Sequence, residues 1–175
     1  MTYRKIALLS TAVALLAIPL AAHDRPDRPA HDFSAQLRGR SEVPLTLSAG
    51  SGSLTLHVND TDTSVHFVLE YSGVSGNPLF SHIHVGQPNV NGGVTVFFCG
   101  GGGQPACPAA TSGTVEGDFT ANNVLPQLTQ QLEAGNLAKL LAAIRAGKTY
   151  ANLHTPQSPG GEIRGQIREA EKHDN

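Results

Sequence analysis

Two short stretches hold the residue types best suited to chemistry: Ser81-His82-Ile83-His84-Val85 and, far downstream, Tyr150-Ala151-Asn152-Leu153-His154-Thr155. In an extended strand successive side chains point to opposite faces. His82 and His84 therefore share one face while Ile83 takes the other. Asn152 and His154 likewise share a face, with Ala151 and Leu153 opposite. If the two strands are neighbours in one sheet, three imidazoles converge above it. Three neutral imidazoles suit a copper ion, with zinc second to it. The expected ligands are His82, His84 and His154. Asn152 on the same face, with Glu162 and Arg164 from the closing strand, are the expected outer partners that orient the rings. The alternative is a metal-free polar network, each ring hydrogen-bonded to backbone, Glu162 or Arg164, because buried ring nitrogens need partners.

Other groups invite chemistry too. Residues 52–58 and 65–70 read as a hairpin. Pairing Val58 with Val65 sets Leu56 against Phe67 and Leu54 against Leu69 on the buried face, and His57 against His66 on the outer face. That imidazole pair is either a two-ligand metal site or a solvated feature of a wet sheet. His23 becomes the N-terminal residue if a leader is cut after Ala22, and it then offers an amine and a ring to copper; the alternative is simply a processed end. Cys99 and Cys107 flank a Gly-rich loop, and in an exported chain a disulfide is the default. Loop closure of that size stabilises by roughly 2–3 kcal/mol. Catalysis by side chains alone finds little support. Neither Ser81 nor Ser158 lies in a nucleophile elbow, and nothing in their spacing pairs Glu70 with Glu162 as acid and base. The glycines at 100–103 lack the Lys-Ser/Thr and helix of a phosphate loop.

The chain that must position these residues begins with export features. Arg4 and Lys5 precede an almost wholly apolar run at 6–20, and Leu20-Ala21-Ala22 offers small residues for cleavage, so residues 1–22 read as a signal peptide. The run is short for a membrane span, and no later segment reads as one. The expected destination is the periplasm or the exterior. Cleavage removes two cations and no anions, leaving ten Lys and Arg (12 − 2) against fourteen Asp and Glu, a formal charge of −4. A mildly acidic chain without a basic run argues against nucleic acid and anionic lipid as partners.

Residues 23–31, with two prolines and alternating charges, read as a disordered lead-in. One domain is expected at 32–168 and a charged tail at 169–175. Strands are expected at 33–37, 52–58, 65–70, 81–85, 94–98, 113–119, 150–155 and 162–167, separated by turns rich in Gly, Pro and Asn. Glu42-Val43-Pro44 breaks the first strand, and residues 156–161 form a tight loop. Two helical pieces interrupt the strands at 125–134 and 137–146. In the second, Leu137, Leu140, Leu141 and Ile144 line one stripe, with Asn136 as N-cap and Gly147 as stop. The expected fold is all-β: an immunoglobulin-like or Greek-key sandwich, or a partly closed barrel, with a short helical insertion.

The ordered series Glu42-Val43-Pro44, then Ser81-His82-Ile83-His84 with Asn91-Gly92, then residues 147–155, then Gly160-Gly161-Glu162-Ile163-Arg164-Gly165-Gln166-Ile167 resembles the CHRD domain, named for its repeats in chordin. The resemblance covers residues 32–168 and implies an immunoglobulin-like β architecture. It implies no reaction, and the Cys99–Cys107 loop is not part of the common pattern. A second, local resemblance is to the His-x-His copper strand of copper/zinc superoxide dismutases. It implies His82, His84 and His154 as copper ligands. The segment after His84 carries no counterpart of the bridging His or the zinc cluster, so the analogy extends to a copper-only site.

Three functions follow as expectations. The first is an exported binding module with a mononuclear copper site and an extracellular or periplasmic ligand. The second is a metal-free structural or adhesion module. The third is a copper-only dismutase-like enzyme.

Overall fold

The computed structural model describes residues 30–171. The expected leader at 1–22, most of the lead-in and residues 172–175 lie outside the described residues. Nine strands make one antiparallel sheet: β1 (Asp32–Arg38), β2 (Ser51–Val58), β3 (Ser64–Ser72), β4 (Phe80–Val85), β5 (Gly93–Cys99), β6 (Gly113–Thr120), β7 (Thr149–Thr155), β8 (Ser158–Gln166) and β9 (Arg168–Glu169). Their spatial order is β5-β4-β7-β8-β1-β2-β3-β6, with β9 on β1. The sheet curls until its two edges nearly meet, a partly closed barrel. Phe67 of β3 and Phe98 of β5 touch across the interior at 4.8 Å between ring centroids.

Alternation decides the faces. Leu54, Leu56 and Val58 of β2 and Val65, Phe67 and Leu69 of β3 fill the interior, paired Val58 to Val65, Leu56 to Phe67 and Leu54 to Leu69. Ile83, Ala151, Leu153 and Ile163 continue the same core from the other half of the barrel. The one α-helix among the described residues, α1 (Leu137–Arg145), is capped by the Asn136 side chain, which accepts from Lys139 N. Its stripe Leu137, Leu140, Leu141 and Ile144 joins the core. Arg145 clasps Asp62 with two bonds of 2.8 and 2.7 Å, holding the helix against the β2–β3 turn.

Three expectations about elements change. Residues 125–134 form no α-helix; they hold a single 3-10 turn, Leu128–Gln130. The segment satisfies the free edge of β5 instead: Leu125 N donates to Thr95 O, Gln127 Nε2 to Val94 O and Gly93 N to Gln130 Oε1. An edge strand with open backbone groups competes with local helix formation. The β7–β8 connection is a two-residue turn at Pro156-Gln157, because Thr155 already pairs with Ser158. Finally, β9 pairs Arg168 with Ser34 and Glu169 with Phe33, so the sheet runs into the charged tail expected from residue 169.

Candidate metal centre

β4 and β7 are hydrogen-bonded neighbours, with His82 opposite Asn152 and Phe80 opposite His154. Inward-facing Ile83, Ala151 and Leu153 fix the register, since a one-residue slip would turn apolar side chains out of the core. His82, His84 and His154 are consequently brought together on the outer face. Each offers one nitrogen, and these nitrogens all lie within 4.8 Å of one another. All three side chains are buried, although they stand outside the barrel wall.

Backbone carbonyls fix the tautomers. His84 Nδ1 donates to Gly92 O at 2.9 Å, and His154 Nδ1 donates to Pro159 O at 3.0 Å. In a neutral ring the remaining Nε2 then carries a lone pair. Both Nε2 atoms point at the Asn152 amide, with Oδ1 at 3.2 Å from His84 and 3.0 Å from His154. Three lone-pair atoms therefore converge. Either a cation between them or a reversed amide, donating one N–H to each ring, relieves that repulsion. His82 Nδ1 is buried with no hydrogen-bond partner among the described residues.

Electrostatics keep the rings neutral. Burial pushes His82 down to about 2 and His84 down to about 4, and it lowers His154 as well. Aromatic side chains wall the cluster. Phe80 lies 4.6 Å from the His154 ring and 5.5 Å from that of His82, and Phe97 meets His82 edge-on at 5.0 Å. Gly101 of the cysteine loop lies so close to Phe97 that a Cβ there would sit 2.6 Å from the ring. Cys99 and Cys107 close that loop at disulfide distance, 1.99 Å between sulfurs. Tyr150 stacks on His84 at 4.6 Å, and the Arg164 guanidinium lies over the Tyr150 ring at 3.3 Å from its centroid.

The outer residues divide. Asn152 meets the Nε2 atoms of His84 and His154 and lies opposite His82. Glu162 and Arg164 hydrogen-bond none of them. Glu162 instead accepts from Ser48 Oγ at 2.6 Å, Ser75 N at 2.8 Å, Ser75 Oγ at 2.6 Å and Thr155 Oγ1, binding the loops that follow β1 and β3. Burial raises its carboxyl, but these bonds together outweigh burial and leave the pKa lowered. Arg164 touches Tyr150, which stacks on His84, and its charge adds to the lowering of the His84 pKa.

Sequence reasoning missed Glu42, seen there only as part of a strand break. Its side chain is buried and Oε1 finds no partner among the described residues. Burial pushes its carboxyl up to about 7 against the pull of Arg164, the Val43 backbone and the Asn152 amide. Gly161 makes the room: its φ is 126°, and a Cβ there would lie 2.6 Å from Glu42 Oε1. The Gly160-Gly161-Glu162 sequence was the available signal. It marks a close approach without saying by what.

His57 and His66 do sit opposite one another on the outer face. They do not converge. His57 Nδ1 bonds Asp32 Oδ1 at 2.7 Å, and His66 Nδ1 bonds Asp118 Oδ1 at 3.2 Å, toward opposite neighbouring strands.

In comparison with known proteins, a family model described as the CHRD domain matches residues 33–167. No curated protein and no solved structure matches.

Proposed function

The chain belongs to the CHRD-domain family, and from that premise we propose that it is an exported binding protein carrying one copper ion on His82, His84 and His154. The observation that carries this reading is the pair of carbonyl-fixed imidazoles whose Nε2 lone pairs face a common point beside the partnerless His82 nitrogen. Metal-ligating imidazoles are commonly oriented by a bond from the other ring nitrogen. Copper stands above zinc in affinity for nitrogen ligands. Bound there, it would supply a redox-active centre; the chain's own residues would supply ring orientation and an aromatic wall against water. Export is supported by the basic start, the apolar run at 6–20 and the Cys99–Cys107 pair. No helix among the described residues is long and apolar enough to cross a membrane.

One observation favours the metal-free module. With its amide reversed, Asn152 satisfies His84 and His154 without any ion. Cu(II) titration separates the two. The copper reading expects one equivalent bound, with nitrogen hyperfine splitting in the electron paramagnetic resonance spectrum, and loss of that signal in His84→Ala. Absence of stoichiometric uptake gives the metal-free module, and unchanged stoichiometry in His84→Ala rejects this site. Superoxide consumption by the loaded protein then separates a dismutase-like enzyme from a carrier or store.

A further inference from the structure

Arg164 is a buried cation, 2 % exposed, that no carboxylate among the described residues meets in an ion pair. Glu42 exerts a field on it but forms no such pair. Charged side chains are almost never buried to this extent unless paired. Its protein partners are all neutral oxygens: Asn91 Oδ1 at 3.1 Å, Val90 O at 2.8 Å and Gln87 O at 3.5 Å. A guanidinium has five N–H donors, so these three acceptors leave two donors over.

Arg164 lines a cleft of about 310 Å³ together with Arg40, Ser41, Pro88, Asn89 and Gln166. The lining includes two arginines and no acidic residue. Arg40 is exposed and makes no hydrogen bond or ion pair among the described residues. Gln166 Nε2 is already committed to Gly86 O and Gly147 O, so the free donors of the cleft come from the arginines, Ser41 and Asn89.

We propose that this cleft binds a small oxyanion, held between the Arg164 and Arg40 guanidinium groups. Guanidinium forks suit two-oxygen faces of phosphate, sulfate or carboxylate, and such charge-assisted bonds are about twice as strong as neutral ones. A bound anion supplies the counter-charge that Arg164 lacks. Arg164 also lies against Tyr150, which stacks on His84, so the anion would sit beside that stack. The inference does not depend on a metal.

The test uses the metal-free protein, labelled with nitrogen-15, at constant ionic strength set with chloride. Inorganic phosphate and succinate are titrated separately. Saturable shifts in either arm at the amides of Ser41, Asn89 and Gln166 are expected, and the tighter arm identifies a tetrahedral or a carboxylate ligand. Arg40→Gln, which removes no bond of the fold, should weaken that binding about tenfold with the thermal midpoint unchanged. Arg164→Lys keeps the charge but loses the fork, and should weaken it too. Linear or surface-wide shifts with both anions would overturn the proposal. So would saturable binding that both variants leave intact.

Discussion

Two sets of imidazoles stand on the outer face of the same sheet, and they meet different fates. His82, His84 and His154 lie on β4 and β7, against the β4–β5 loop and the start of β8. His57 and His66 lie on β2 and β3 without such cover among the described residues, their side chains 61 % and 44 % exposed. Strand alternation placed both sets outward by the same rule. What separates them is cover. Under the loops each ring nitrogen must find a specific partner, and the tautomer becomes fixed. In water each ring leans on a carboxylate, and solvent makes up the difference.

The largest test of that contrast is Asn152→Leu. The substitution keeps the approximate volume and removes the amide that faces both Nε2 atoms. Two buried ring nitrogens then lose their partner, so the metal-free protein should lose roughly 2–4 kcal/mol of stability in urea denaturation. A loss near zero would mean that the covered rings are solvated after all, and the contrast between the two sets would fail.

Part of this arrangement was legible in the sequence. The register of β2 and β3 follows from alternation and a short polar turn, so the His57–His66 pairing could be read directly. The shared face of His82 and His84, and of Asn152 and His154, follows from the same two-residue period. That β4 and β7 are neighbours does not follow, because 63 residues lie between Val85 and Thr149 and periodicity carries no information on strand order. Glu42 was illegible for a further reason. Its approach to the site depends on the path of a loop, and loop paths are set by what they cover. Residues 125–134 misled in the opposite direction: local helical spacing was visible, and the open edge of β5 that captures the segment was not.

Acid should reveal the covered set next. Burial depresses His82 to about 2 and His84 to about 4, and lowers His154. Unfolded imidazoles titrate near about 6.5, so as pH falls the unfolded chain takes up protons first. This contribution to stability is full above about 6.5 and is lost as pH drops toward the folded values. Glu42 acts in the opposite sense. Its carboxyl, raised by burial from 4.5 to about 7, contributes fully below 4.5 and loses that contribution as pH rises through about 7. Between the two, three imidazoles outweigh one carboxyl, and stability of the metal-free protein should climb from pH 5 to 6.5. His154→Gln should flatten that climb by up to about 1.4 kcal/mol per pH unit, the weight of one proton. A slope unchanged by the substitution would show that the covered ring titrates as it does in the unfolded chain.

The smallest expected effect belongs to the exposed pair, and it sharpens the contrast from the other side. His57 and His66 are cross-strand neighbours, close enough in register to suggest a shared ion. Yet their rings are drawn apart: His57 to Asp32 on β1, and His66 to Asp118 and Glu116 on β6. Chelation would require both rings to leave carboxylates and turn toward each other. Exposed ion pairs contribute little because water and salt screen them. His57→Ala and His66→Ala, singly or together, should therefore change stability by under about 0.5 kcal/mol. They should also leave Cu(II) stoichiometry as it is in the unaltered protein. If the double variant instead abolished uptake while His84→Ala did not, the ion would belong to the open face. Cover would then fix tautomers without making a binding site.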